Sequence, residues 1–220
     1  MTTKRIKNLL IIFILFPVFL FSQKNDFQTW NSVELKYDKI KNIDFIFEGE
    51  LRLMNNARDI SKYFSDFSIK RVHNNLFSYS FGYRHIFQKN NDLIFEKKNR
   101  FYADIAFKKP ISKRFEFSFR TRVQSQIDAE FGFSENVKNK IREKIKCTYD
   151  FKNTDLDVFL GLELFYLVEG DFEKIRCMAG LEKSLLEKMD LSLDGMFQKD
   201  LKTSSPELLF IFRTTLSYTI

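Results

Sequence analysis

The strict alternation of apolar and charged residues constrains this chain more than any other feature. The segment RFEFSFRTRVQ, residues 114–124, places phenylalanine, threonine and valine at odd positions and arginine, glutamate, serine and glutamine at even positions. Because successive side chains of a strand point to opposite faces, this segment would have one apolar face and one charged face. About ten alternating residues suffice to cross an outer membrane as part of a closed barrel, although a half-buried soluble sheet can show the same pattern.

The same alternation recurs along the chain and predicts eleven strands. Val137–Phe151 is rich in lysine, glutamate and arginine, which also favour a helix, but its period of two favours a strand. Tyr63–Val72 places Arg71 on its apolar face, which predicts a β-bulge that shifts the register. The predicted strands are 27–37, 43–53, 63–72, 76–87, a strand ending in 100–107, 114–124, 137–151, 155–168, 173–185, 189–197 and 208–220.

These strands predict an all-β fold, a closed antiparallel up-and-down transmembrane β-barrel. Bacterial single-chain barrels have even strand numbers. We therefore expect twelve strands, with one missing from the pattern, or alternatively ten, with the first strand outside the wall. Asp128–Asn136 is expected to form the longest irregular loop.

The amino terminus resembles an export signal. Three basic residues precede the apolar run Leu9–Phe21, and the small residue Ser22 follows it. A membrane anchor is the alternative, but the run is shorter than the roughly 20 residues that cross a bilayer, and it contains Pro17. We expect a signal peptide at 1–22, a barrel domain at 23–220 and location in the bacterial outer membrane.

Composition excludes one class of partner. Removal of residues 1–22 would lower the net charge from +7 to +4, because it takes away three positive charges and no negative ones. The remaining basic residues are scattered among 29 acidic residues, so nucleic-acid binding is not expected. The 27 phenylalanines suit a lipid-facing surface or a large β core.

The chain has two cysteines, Cys147 and Cys177. An oxidising compartment suggests a disulfide. The predicted strands, however, place one strand between them, at a backbone separation of roughly 9–10 Å, beyond the about 7 Å limit for a bridge. We therefore expect two free thiols on the lipid-facing side.

The polar faces carry arginines together with carboxylates. An arginine facing the bilayer midplane would cost about 2–4 kcal/mol, so these faces are predicted to enclose the lumen, where arginine forks pair with carboxylates. The predicted lumen-lining residues are Arg84, Arg100, Asp104, Glu116, Arg120, Arg122, Arg142, Glu163, Arg176, Glu182 and Arg213.

Five short segments carry a resemblance to a known family. They are QTWNSVELKY, NRFYADIAF, FRTRVQ, LGLELFY and IRCMAGLEKSL. Together they resemble a Bacteroidota outer-membrane β-barrel family known only as a domain of unknown function, the 2490 family. The resemblance implies an outer-membrane barrel and no reaction. Arg100, Arg120, Arg122 and Glu163 match the recurrent polar residues of the family.

No catalytic or metal site is indicated. His73 falls in a turn, and His85 has the apolar phase of its strand, opposite to that of Ser78 and Ser80, which disfavours Ser–His–acid catalysis. The two histidines do not cluster with the cysteines, so neither a metal site nor a cofactor is expected.

Two further groups of charged residues have ordinary interpretations. The carboxylate pairs Glu48 with Glu50 and Asp155 with Asp157 could act as acid and base, but ion pairs with lumen arginines are favoured. The basic face of Lys138–Lys146 could bind lipopolysaccharide phosphates or an anionic solute, and a solvated strand face is the simpler interpretation.

The sequence predicts a non-enzymatic barrel that is structural or a narrow passive channel for small polar solutes. Two alternatives stay open: a barrel enzyme acting on lipid or lipopolysaccharide, and a soluble secreted lipid-binding barrel. The expected partners are outer-membrane lipid and lipopolysaccharide, with the barrel-assembly machinery during biogenesis.

Overall fold

All eleven predicted strands are present, and together they close into one barrel. The computed structural model describes residues 25–90, 92–128, 137–152, 154–202 and 208–220. The predicted signal peptide and most of the predicted loop at 128–136 lie outside the described residues. The strands are β1 Asn25–Ile40, β2 Ile43–Met54, β3 Asp59–Val72, β4 Phe77–Lys89, β5 Phe95–Pro110, β6 Phe115–Asp128, β7 Val137–Phe151, β8 Leu156–Leu167, β9 Phe172–Leu186, β10 Met189–Asp200 and β11 Leu208–Thr219.

The residues that the structure describes form eleven strands, which corrects the predicted count of twelve and the alternative of ten. Neighbouring strands pair antiparallel around the wall, but β1 and β11 pair parallel, from Asn25 opposite Leu208 to Lys36 opposite Thr219. This one parallel pair satisfies the edges of both terminal strands, so no twelfth strand is needed. The expected fully antiparallel topology therefore has one exception. Odd-stranded membrane barrels are known from mitochondria.

The two rims of the barrel differ in their connections. One rim, here called the turn rim, carries the connections 41–42, 73–76, 111–114, 152–155 and 187–188. Asn42 has a φ of 63°, which asparagine tolerates well in a tight turn. The opposite rim, here called the loop rim, carries 55–58, 90–94, 129–136, 168–171 and 201–207. On average the connections at the loop rim are longer.

Two local predictions have different outcomes. Val137–Phe151 is a strand, as its period of two predicted. The bulge predicted within Tyr63–Val72 is wrong, because β3 pairs there with β2 and β4 without a register shift. The register shift of β3 lies just before this segment, where Ser61 is the extra residue opposite Arg52 and Leu53 of β2. Arg71 points outward at the turn rim, where its charge can reach water.

The barrel interior is filled on one side. β1 and β8–β11, which are neighbours around the closure, each contribute one residue to a buried apolar cluster. Its members are Trp30, Phe159, Met178, Met196 and Ile211, each 5% exposed or less. The inner faces of β2–β7 carry mostly polar and charged side chains. The apolar cluster therefore leaves an off-centre polar space against β2–β7.

Cys147 and Cys177 form no disulfide, and both are exposed. They lie on β7 and β9, opposite Leu160 and Leu162 of the intervening β8. We expect the unreduced protein to have the mass of a chain with two free thiols and, once unfolded, to react with two equivalents of an alkylating reagent. A mass lower by two hydrogens would show an intramolecular bridge and contradict this register.

Candidate functional site

The polar space inside the barrel is one cavity with a volume of about 720 Å³. It extends from Lys98 and Lys174, near the loop rim, to Lys70 and Lys108, near the turn rim. The apolar cluster contributes to its wall through Trp30 and two methionines. The alternation of the strands produces this arrangement, because every second side chain of β2–β7 must point inward.

The cavity wall is strongly basic. It contains seventeen lysines and arginines against seven aspartates and glutamates, an excess of ten positive charges. The whole chain has a net charge of +7, so the residues outside this wall carry a net negative charge of −3. Fourteen of the seventeen basic residues lie on β2–β7. The fold therefore concentrates in one cavity the basic residues that are scattered along the sequence.

Nine of the eleven predicted lumen residues line this cavity. They are Arg84, Arg100, Asp104, Arg120, Arg122, Arg142, Glu163, Arg176 and Arg213. Glu116 and Glu182 are not part of its wall. They lie near the turn rim, where Glu116 pairs with Lys108 at 2.9 Å and Glu182 pairs with Lys146 at 2.7 Å.

Glu163 is the centre of the charge network. Its side chain is 2% exposed, and its carboxylate oxygens lie 3.3 Å from Arg120, 2.6 Å from Arg142 and 3.0 Å from Arg176. The three arginines come from β6, β7 and β9 and converge on a carboxylate of β8. One negative charge therefore serves three guanidinium groups and leaves a local positive excess.

Other inner arginines have a carboxylate of their own. Arg122 donates two hydrogen bonds to Asp104, at 2.6 and 2.7 Å. Arg84 donates to Asp66 at 2.7 Å, and Arg213 donates to Asp194 at 3.0 Å. Such charge-assisted bonds hold long side chains in fixed positions along the wall.

Aromatic rings support several of these guanidinium groups, and these rings were not among the site residues predicted from the sequence. Arg52 lies 3.5 Å from the centre of the Trp30 ring, and Arg122 lies 3.7 Å from that of Tyr102. The Tyr102 hydroxyl donates to Asp66 at 2.6 Å. The ring crosses directly over Gly82, where an added Cβ would lie 2.1 Å from it. The inward phase of Trp30 and Tyr102 is the sequence signal that could have identified them.

The candidate catalytic groups are not brought together. His85 is on the outer face, with Nδ1 2.8 Å from the Asn99 side-chain oxygen, whereas Ser80 points inward and donates to Asp104 at 3.1 Å. Within the described residues, no group of three His, Cys, Asp or Glu side chains could hold a metal ion.

The carboxylate pairs have different surroundings. Glu50 forms an ion pair with Arg52, and Glu48 lies 3.4 Å from Arg84. Asp155 falls in the turn between β7 and β8, and Asp157 lies on the inner face opposite Asp150. The expected ion pairs thus form for the first pair of carboxylates.

A comparison with known protein families finds one that matches the chain. The family described as "Protein of unknown function (DUF2490)" matches residues 27–207. The chain belongs to this family. The match covers most of the strands of this DUF2490 barrel, from β1 through β10. No curated protein matches the chain significantly. The family description names no reaction, so the roles of the DUF2490 residues rest on the geometry above.

The described residues of this DUF2490 protein contain no helix that is long and apolar enough to cross a membrane.

Proposed function

We propose that this protein is an outer-membrane β-barrel of non-enzymatic role whose lumen is a narrow passive path for small polar solutes. The observation that carries the proposal is the division of the wall into an apolar outer face and a charged inner face. The outer face would contact lipid, and the inner face would contact water and solute.

The outer face is apolar along the middle of the strands. Phe81 is 71% exposed and Leu160 is 65% exposed, and both lie well inside their strands. Further exposed apolar residues on this face are Val33, Phe47, Phe101, Ile105 and Val123. An extended exposed apolar band of this kind is rare on soluble monomers and is expected where lipid covers the protein.

Aromatic rings gather at both rims of the outer face. The loop rim carries Tyr63 with Phe87 at 4.8 Å, Phe197 with Phe210 at 5.1 Å and Tyr166 with Phe172 at 5.4 Å between ring centres. The turn rim carries Tyr37 with Phe45 at 6.4 Å, Phe77 with Phe107 at 5.2 Å and Phe115 with Tyr149 at 5.0 Å. Two aromatic girdles flanking an apolar band are typical of outer-membrane barrels.

Strand length supports the same assignment. The shortest strands have 12 residues. At about 3.3 Å per residue and a tilt of about 40°, such a strand rises about 30 Å. This is close to the roughly 30 Å thickness of the hydrocarbon core of a bilayer.

One carboxylate interrupts the apolar band. Glu143 is the one charged side chain that points outward in the middle third of a described strand, and it was not among the residues predicted from the sequence. It accepts a hydrogen bond from the Thr121 hydroxyl at 2.8 Å. An acidic side chain costs less than a basic one on a lipid-facing surface, and this bond offsets part of that cost.

The interior favours small polar solutes over lipid tails. Charged side chains cover most of the cavity wall, and an acyl chain there would leave them desolvated. The cavity approaches both rims, which supports a path through the barrel. The apolar cluster narrows this path, because it fills the side formed by β1 and β8–β11.

Membrane insertion can be tested on the purified protein without residues 1–22. We expect it to float with lipid vesicles, to migrate on SDS gels at a different rate before and after boiling, and to give small, discrete conductance steps in planar bilayers. The basis is the closed barrel with an apolar exterior. A protein that stays soluble and folded without detergent and does not bind vesicles would refute the proposal.

A further inference from the structure

The basic residues of the lumen are more numerous than its ion pairs require. On the inner faces of adjacent strands, cations stand directly opposite one another. Arg84 of β4 faces Arg100 of β5. Between β6 and β7, Arg120 faces Lys144 and Arg122 faces Arg142. Like charges at directly opposed positions destabilise a sheet. The repulsion between these cations lowers the stability of the folded barrel, and an anion bound in the lumen would offset it.

Two members of this wall form no ion pair with a carboxylate of the described residues, although Lys144 is opposite Glu163 in the register of β7 and β8. Within the described part of the chain, Lys144 forms no ion pair, and Arg100 donates to the neutral side-chain oxygen of Gln126, with the shorter of two bonds at 2.5 Å. Both residues line the cavity. Their charges are therefore available to a solute.

Three buried guanidinium groups also have more hydrogen-bond donors than there are acceptors around them. The Nε atoms of Arg120, Arg142 and Arg176 are buried, and no acceptor among the described residues reaches them. These are the three arginines that share Glu163. A buried donor without an acceptor is costly, so this cluster is suited to a ligand that brings acceptor oxygens.

The distribution of carboxylates confines the site. Glu34 and Glu48 face each other across β1 and β2 on another part of the same wall, which disfavours an anion there. We call the basic wall the set of inward-pointing side chains on β4–β7 that consists of Arg84, Arg100, Arg120, Arg122, Arg142 and Lys144.

We propose that this basic wall binds the phosphate group of small soluble molecules, either inorganic phosphate or a phosphomonoester, inside the lumen. A phosphate offers several acceptor oxygens and close to two negative charges, which match the planar forks of the arginines. Basic side chains line pores that select anions and phosphates. A volume of about 720 Å³ lies within the range of small-molecule sites. Phosphate compounds are thereby the proposed solutes of the channel, and their transport rests on the channel function proposed for the barrel.

The test is equilibrium unfolding of the detergent-solubilised full barrel with inorganic phosphate, at constant ionic strength set with chloride. Phosphate is expected to raise the unfolding midpoint, because a ligand that binds the folded state stabilises it. Lys144→Gln and Arg100→Gln are each expected to raise the dissociation constant for phosphate at least tenfold. Arg100→Gln should be at least as stable as the parent protein without phosphate, since it removes the like-charge pair with Arg84. Lys144→Gln should stay close to the parent in stability, because Lys144 is directly opposite both Arg120 and Glu163.

Lys183→Gln is the matched control, because Lys183 is exposed on the outer phase of β9 and has no ion pair within the described residues. It should bind phosphate like the parent. Equal stabilisation of the parent and all three variants would indicate a general salt effect and overturn the proposal, as would no stabilisation at all. Glucose 6-phosphate and a short-chain phosphatidate distinguish the source of the phosphate: binding of the phosphatidate alone would also overturn it. Vesicle flotation of the same preparations separates this result from a failure of membrane insertion.

Discussion

Leu160→Arg is expected to destabilise the protein folded into lipid vesicles by about 2–4 kcal/mol, the cost of an arginine on the lipid face near the bilayer midplane. Leu160 is 65% exposed, lies in the middle part of β8 and is flanked by Cys147 and Ala179 on the neighbouring strands. On a water-exposed surface the same substitution would change the free energy of unfolding by no more than about 0.5 kcal/mol in either direction. Urea titration of the vesicle-folded protein measures the difference.

Leu186→Arg provides the matched control for this substitution. Leu186 is 66% exposed, but it is the last residue of β9, at the turn rim. Near the membrane interface an arginine costs only about 0–1 kcal/mol. Equal effects of the two substitutions would mean that the outer face has no depth-dependent contact with lipid, and the proposed location would then be wrong.

Glu163→Gln is expected to destabilise the barrel by about 3 kcal/mol or more. The substitution removes the carboxylate shared by Arg120, Arg142 and Arg176 and leaves their charges uncompensated in a buried position. Denaturant unfolding in detergent, with chloride as the only anion, measures this effect. Glu163→Gln combined with Arg142→Gln should recover part of the loss, because one of the uncompensated charges is then absent.

Glu182→Gln is the control for the central carboxylate. The Glu182 side chain is 38% exposed and pairs with Lys146 alone among the described residues. Solvent screening limits such a pair to less than about 1 kcal/mol. If Glu163→Gln lowered the stability no more than Glu182→Gln, the three arginines would not depend on their shared carboxylate.

Sequence alone was sufficient to place the strands and their faces. In β6, the alternation of RFEFSFRTRVQ predicted that Arg120 and Arg122 point inward, and both line the cavity. The same rule led to an error in β3, where Arg71 suggested a bulge between Tyr63 and Val72, a segment that pairs without a register shift. An arginine at a rim can extend to water, and a periodic pattern does not indicate how near a residue lies to a rim.

The roles of individual charged residues were less accessible. The alternation predicts that arginines and carboxylates share the lumen, but it does not indicate that Glu163 serves three arginines from three strands. Glu143 was not predicted to face outward, although its position in the alternation of β7 indicates it. The side-chain partners of an inner residue depend on the register between strands that are distant in sequence.

The sequence by itself determined the strand content, the direction of each side chain and the separation of an apolar face from a charged face, because these follow from the local two-residue period. Only the tertiary structure decided that eleven strands close through a parallel pair of β1 and β11, and that the apolar cluster fills one side of the lumen. Closure depends on which edges satisfy their backbone hydrogen bonds, which is settled between residues at opposite ends of the chain. The same long-range register brings scattered cations together into one basic wall.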